Sequence, residues 1–463
     1  MSATVLVLGG SLAGLATALR LARDGHRVTV VERDGFDVGP SQESIGWERR
    51  GVPHFLQPHA IGPRGRAELR DSLPDVFADL LAAGAGDVDV AARAPGGPRP
   101  GDDDLRYLAV RRPVIEWALR RAVDAEPRID VRATTEVTGL VLDGGRVTGV
   151  RTDGGDLDGD LVVDALGRRA PTTAWLRDAG VESDPAESSD CGVVYYNRYY
   201  RVRPGFELPD GPWLLSPRGD LGYLGFATFP GDNDTFAALL AVPSGVPEWR
   251  AFGDAAAFEA AADRIPMLRL WVDPEKVEPI TDMMPMAGLR NTLRHYGPTT
   301  AVGLVPVGDA LCHTDPVLAH GVAFAFVHAT ALAAALRDHS DVVDASSAYA
   351  AAVMPALRER YDLATALDEQ RRRMWLGEPV DFAHHDGDYA LFSLVAGGAV
   401  AMADAEVFRM YVRRIGLLDS TAVLDDDVEL QRRIEETFAA MRATPRPAPG
   451  PSRDEMLALV GAG

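Results

Sequence analysis

Gly9, Ser11 and Gly14 stand at the spacing G-x-S-x-x-G in the run Gly9-Gly10-Ser11-Leu12-Ala13-Gly14. That spacing suits the binding of a pyrophosphate. Gly9 permits a tight turn, a small residue at position 11 lets the pyrophosphate approach the backbone, and Gly14 allows the next helix to pack closely on the preceding strand. The helix start, with Gly10, Leu12 and Ala13, offers free N–H groups to the phosphates. Glu32 is placed to accept hydrogen bonds from a ribose diol. It argues against a 2′-phosphate, while Arg33 leaves that possibility open. Glycine turns also arise for purely structural reasons, so the reading rests on the flanking elements. These are a buried strand over Thr4 to Leu8, a helix from Leu12 to Ala22 that stops at Asp24-Gly25, and a second strand over Arg27 to Val31.

A second constellation follows a buried strand read over Thr300 to Val307: Gly308-Asp309-Ala310, then Pro316, then Gly321 opening a long Ala-rich helix. Taken with the first turn, it resembles the para-hydroxybenzoate-hydroxylase-like superfamily of FAD-dependent monooxygenases, of the bacterial natural-product tailoring type. The resemblance implies that Asp309 binds the ribitol chain and that N–H groups near Gly321 and Val322 face the N1–C2 edge of the flavin. A helix N-terminus there suits the negative charge of a reduced flavin. It further implies that Arg112 contacts the FAD phosphates or flavin, and that the strand beginning at Val137 meets the adenine. The stretch from Arg49 and Arg50 through His54 to His59 resembles the loop beside the flavin in polyene epoxidases. Arg50, His59 and His320 are the candidate catalytic residues. An imidazole at His320 can supply positive charge or a proton to oxygen reduction, or it can simply pack.

The departures from the family pattern also carry information. Where aromatic hydroxylases have an Asp-Gly pair with an acidic partner, this chain reads Asp164-Ala165-Leu166-Gly167. That shifts the expectation from direct NAD(P)H use toward reduced flavin delivered by a partner flavin reductase, with both kept open. The halogenase branch depends on a lysine in the N-terminal third, yet Lys276 is the only lysine here and the W-x-W-x-I-P motif is missing, so halogenation is not expected. The segment Tyr195 to Phe229 is crowded with aromatics, some of which can line an apolar pocket while others form core. No metal site is expected.

The chain has 463 residues, 46% hydrophobic and 25% charged, which is the make-up of a folded protein with a large core. Its formal net charge of -21 argues against nucleic acid or anionic lipid as a partner. Two distant cysteines, Cys191 and Cys312, make no disulfide framework and point to a reducing cytoplasm. The N-terminus lacks the features of a secretory signal. The low-charge run Val317 to Leu336 is read as a buried helix rather than a membrane span.

The expected architecture is α/β: a Rossmann-like FAD-binding domain (residues 1–185 and 296–370), an inserted antiparallel β-sheet substrate domain (186–295) and a helical C-terminal region (371–463). The expected activity is insertion of one oxygen atom, by hydroxylation or epoxidation through a C4a-hydroperoxyflavin, into an apolar natural-product-like molecule. An FAD-dependent reductase of the geranylgeranyl-reductase type and a non-catalytic flavin-binding protein are the alternatives.

Overall fold

The computed structural model describes residues 2–211, 213–295, 301–385, 389–444 and 448–461. Five short strands form a parallel sheet in the order Leu304–Pro306, Leu161–Asp164, Thr4–Leu8, Arg27–Val31, Ile129–Arg132. Both faces are covered, so the strands read as continuous Val and Leu runs rather than alternating ones. Register sets the site. Leu8 lies opposite Val31 and Asp164, and Asp164 lies opposite Pro306. Gly9, Glu32, Ala165 and Val307 therefore leave the sheet at one carboxyl edge, where ligands bind in open α/β sheets. The expected strand over Thr300 to Val307 is realised only as Leu304–Pro306, and Thr300 lies outside the described residues.

An antiparallel sheet forms the second lobe, in the order Arg218–Asp220, Gly225–Pro230, Thr235–Pro243, Val193–Val202, Val277–Pro279, with Met284–Met286 paired to Val193–Val202. Beneath it Tyr196, Tyr200, Trp213, Tyr223 and Phe226 pack with Trp249, Phe252 and Phe258 into an aromatic core. Most of the aromatics in that stretch are thus structural. A smaller sheet of Glu187–Asp190, Arg290–Leu293 and Cys312–His313 couples the two lobes.

The helix Gly321–Asp338 is long and apolar enough to cross a membrane, but 61% of it is buried inside the protein, against the parallel sheet and helix Leu12–Arg23. Helix Val342–Trp375 runs unbroken for 34 residues, so the expected boundary at 370/371 falls inside a single helix. The helices Tyr389–Val400, Ala405–Ile415 and Val428–Ala443 follow. The last helix, Arg453–Val460, returns to the antiparallel lobe and buries Met456 in its aromatic core.

Candidate functional site

The two glycine turns meet. A Cβ on Gly308 would lie 2.8 Å from Cβ of Ala13, so the second turn rests on the start of the first helix. Gly9 turns at φ +100°, and a Cβ on Gly14 would lie 1.9 Å from its carbonyl oxygen, which is the close helix-on-strand approach expected of that position. Asp309 reaches across to the other conserved-spacing glycine: its Oδ1 is 3.7 Å from the place of a Cβ on Gly321. Helices Leu12–Arg23 and Gly321–Asp338 both begin without a side-chain cap, leaving first-turn N–H groups available. The amide of Gly308 donates to Nδ1 of His328, 2.9 Å away on the buried helix, which pins the second turn from below. Arg294 staples it from the side, through the carbonyls of Asp309, Ala310 and Arg168.

Arg112 lies between the turns. Its Nη2 donates to Oγ of Ser11 at 2.9 Å, and Nη1 lies 3.3 Å from Nε2 of His59. Nδ1 of His59 is 2.7 Å from the carbonyl of Gln57, so Nδ1 carries the proton and Nε2 accepts from Arg112. Burial, reinforced by Arg112, depresses the His59 pKa to about 3. The imidazole is neutral at ordinary pH. His54 is held well below its usual pKa by burial and by Arg112, and its Nδ1 is buried with no partner. Nε of Arg112 is likewise buried and unpartnered.

On the other side of the first turn, an ion cluster gathers around Glu32 and Arg49. Oε2 of Glu32 accepts from the Gly10 amide at 2.7 Å and from Nη2 of Arg49 at 3.2 Å, and Oε1 accepts from the Asp34 amide at 2.8 Å. A carboxylate has about four acceptor positions, so Glu32 retains capacity for a further donor. Arg49 also pairs with Asp34 at 3.2 Å and with Glu116 at 2.8 Å. Burial alone would lower the Arg49 pKa, but Glu116, Glu32 and Asp34 together hold it above the ordinary guanidine value. Glu116 in turn accepts from Ser11 Oγ at 2.8 Å and from Arg120 at 3.1 Å. Thr135, two residues before Val137, donates its amide to the Glu32 carbonyl, which sets the Val137 strand beside the Glu32 cluster.

Two catalytic expectations are corrected. Arg50 is exposed, and it is Arg49 that turns inward to the first turn. His320 is buried, with Nε2 donating to the Ile415 carbonyl at 3.0 Å, and burial depresses its pKa to about 3. Uncharged at neutral pH, it fastens the loop between Gly308 and Gly321 to helix Ala405–Ile415. Arg33 is exposed and Pro316 is at the surface, whereas Val322 is buried.

Several residues escaped sequence reading, namely Glu116, Arg168, His328 and a buried group around Asp315, and Arg49 was named only as the start of a stretch. Arg112, Glu116 and Arg120 recur at i, i+4 and i+8 along one face of helix Arg112–Asp124, and that spacing was a usable signal. Asp315 accepts from the Tyr195 hydroxyl at 2.5 Å and from Arg371 at 2.5 Å. Asp368 accepts from Arg371 at 2.7 Å and from Asn291 at 2.8 Å. Burial, with Asp315 alongside, pushes the Asp368 carboxyl up to about 8, while Arg371 and the neighbouring donors hold Asp315 below its usual value. Cys191, Asp315 and Asp368 present atoms within 4.8 Å of one another, but Arg371 is the cation seated among them.

Beyond Ala319, two adjoining cavities of about 40 Å³ and 10 Å³ share Tyr107, Leu318, Ala319 and Ile415 as walls. They are bounded by the loop before Gly321, the antiparallel lobe and helix Ala405–Ile415 together.

No family model matches the chain. The Mycobacterium tuberculosis protein Rv3254 is 26% identical over 363 residues, covering 72% of each chain. A glycine oxidase from Pseudomonas putida is 29% identical over 265 residues, covering 48% of this chain and 69% of its own. Among solved structures, the flavin-dependent brominase Bmp2 aligns with a TM-score of 0.61 at 18% identity, covering 95% of this chain and 100% of its own. PqsL from Pseudomonas aeruginosa, described as a probable FAD-dependent monooxygenase, aligns with a TM-score of 0.58 at 17% identity, covering 81% and 99%. A 2-methyl-3-hydroxypyridine-5-carboxylic acid oxygenase aligns with a TM-score of 0.58 at 17% identity, covering 81% and 93%. The chain shares the fold of these solved flavin-dependent enzymes, the fold that the motif resemblance implied.

Proposed function

We propose that the chain is an FAD-dependent monooxygenase that inserts one oxygen atom into an apolar, natural-product-like small molecule, by hydroxylation or epoxidation. The observation that carries the reading is the contact of Gly308 with Ala13, which joins two uncapped helix starts and encloses Arg112 with an unpartnered Nε. Those donors fit an FAD. Glu32 would take the ribose, Arg112 and the Leu12 helix start the phosphates, Asp309 the ribitol, and the Gly321 helix start the flavin edge. When bound and reduced, the flavin supplies the electrons that activate oxygen. The protein's own residues position the substrate and exclude water, and no nucleophile is required of them. His59 and His54 stay neutral, so they act as hydrogen-bonding groups rather than cations.

The electron donor is NAD(P)H, used directly or through a partner flavin reductase, and the cytoplasm is the proposed compartment. The likeness to glycine oxidase supports a second reading, an oxidase that releases hydrogen peroxide and leaves no oxygen in its product. Oxygen uptake with incorporation of isotopic oxygen into product supports the monooxygenase. Stoichiometric peroxide with an unlabelled product supports the oxidase, and turnover without oxygen supports a reductase. The cofactor assignment has its own check. Asp309→Ala is expected to lose most of the yellow chromophore, because the partners of a buried polar contact are left unsatisfied. A variant that retains full FAD refutes the placement.

A further inference from the structure

We infer that Asp315 and Asp368 share a single proton, and that this buried acid pair, closed by Arg371, is the joint through which helix Val342–Trp375 positions the loop in front of the Gly321 helix start. The inference rests on the reading that this helix start meets the flavin, and it adds two positioning residues to that reading.

The side chains of Asp315, Asp368 and Arg371 are 0%, 4% and 9% exposed. Both carboxyls accept from the same Nη2 atom of Arg371, at 2.5 Å and 2.7 Å, and among the described residues that guanidinium is the only ion-pair partner of either one. Two carboxylates against one guanidinium would leave a net negative charge shut off from solvent, which is costly. One proton between them makes the group neutral, as two carboxyls sharing a site require. The donors decide where it sits. Asp315 accepts from the Tyr195 hydroxyl, from the Val317 amide at 3.1 Å and from Arg371, whereas Asp368 accepts from Arg371 and Asn291. The carboxyl with more donors is the ionised one. Asp368 keeps the proton and donates it to Asp315, to which it is hydrogen-bonded. The other titratable groups facing the joint do not supply a second cation. Burial pushes up the Tyr195 phenol and the Cys191 thiol, which stay neutral, and Asp220, which also feels Arg371, is held by the Trp375 indole at 2.9 Å.

Four parts of the fold meet at Asp315. Its amide donates to Oδ1 of Asn291 at 2.7 Å on the small coupling sheet, and its carboxyl takes Tyr195 from the antiparallel lobe and Arg371 from helix Val342–Trp375. Through the Val317 amide it also caps the turn Pro316–Leu318. That turn ends at Ala319 with φ +55°, a left-handed conformation that strains a residue bearing a Cβ and persists only where its surroundings hold it. Gly321 opens its helix two residues later. Loss of the shared proton sets the two carboxylates against each other, loosens the grip on Asp315 and frees the strained turn.

The test combines infrared difference spectroscopy of the full-length protein with fluorimetric titration of FAD into its cofactor-free form. At pH 7 the difference between the parent and Asp368→Asn is expected to show the carbonyl band of one protonated carboxylic acid. Asp164 and Asp220, whose pKa values burial also raises, cancel in that difference. Asp315→Asn is expected to remove the same band although it leaves Asp368 in place, because Asp368 then becomes the sole counter-ion of Arg371 and ionises. FAD binding by the parent is expected to weaken by up to about tenfold between pH 7 and 9 as the pair loses its proton, and to stay flat in both variants, whose joints are neutral without a proton to lose. No acid band in the difference between the parent and Asp368→Asn, or a band that survives Asp315→Asn, overturns the shared proton. An unchanging FAD affinity in the parent, or a pH dependence that persists in both variants, overturns the positioning role. Asp368→Asn, an amide of the same size as the acid, carries both readouts even if Asp315→Asn does not fold. A protein that takes up no FAD overturns the flavin reading instead, and the infrared difference still decides the shared proton.

Discussion

Replacing Arg49 by Met tests whether the first glycine turn is held by charge. The Arg49 side chain is 1% exposed, and its partners Glu32, Asp34 and Glu116 are 6%, 4% and 0% exposed. Methionine preserves much of the bulk but strands three buried carboxylates and leaves the Gly10 carbonyl without the guanidinium donor. Breaking a buried pair by removing one partner costs about 3–5 kcal/mol. Some compensation remains, because Arg120 still reaches Glu116 and the amides of Gly10 and Asp34 still serve Glu32. The expected loss is therefore about 3 kcal/mol, against under about 0.5 kcal/mol for Arg50→Met at the exposed neighbour. Urea unfolding of the cofactor-free protein, followed by tryptophan fluorescence, measures both. The gap between variant and parent should narrow on acidification toward pH 4, because protonation neutralises the stranded carboxylates. Arg49→Met and Arg50→Met curves that coincide at neutral pH would refute the charge argument.

Other perturbations probe the packing and the titrating groups. Gly14→Ala places a Cβ 1.9 Å from the Gly9 carbonyl, so the helix must lift from the turn, and the variant should lose both stability and bound FAD; full retention of the chromophore contradicts the close approach. His320 titrates near 3 in the folded chain and near 6.5 unfolded, so its contribution is present above pH 6.5 and is lost as the pH falls toward 3, by up to about 1.4 kcal/mol per pH unit. His320→Gln removes that proton uptake, and thermal midpoints should fall less steeply between pH 6 and 4; an unchanged slope rejects the assignment. Asp368 behaves oppositely, since its folded value of about 8 lies above the ordinary carboxyl value of 3.8, so its stability is present at low pH and lost as pH rises through 8. Asp368→Asn should flatten the decline between about pH 4 and 8, whereas the parent's decline persisting in the variant would place the proton elsewhere.

What was readable from the chain was the part governed by local rules. The turn at Gly9 to Gly14 needs a strand before it and a helix after it, and all of these announce themselves within about thirty residues. The turn at Gly144-Gly145 obeys equally local rules, with two adjacent glycines that both adopt positive φ, 56° and 83°. Long-range pairing was not legible. Nothing in the local sequence distinguishes Arg49 from Arg50, because the difference is which of two adjacent side chains points toward acids contributed by Glu32, Asp34 and Glu116. The C-terminal helices were opaque for a related reason: they carry no motif, and their meaning lies in what they touch. Arg371 on helix Val342–Trp375 reaches Asp315 in the loop between Gly308 and Gly321, and Ile415 holds His320 in the same loop. The loop between Gly308 and Gly321 is thus braced by two helical segments that belong to neither the parallel sheet nor the antiparallel lobe. A loop fixed on both sides keeps the Gly321 helix start in one place relative to the cavity wall at Tyr411. The C-terminal region, which no sequence motif marked, therefore shapes both the Gly321 helix start and the space beside it.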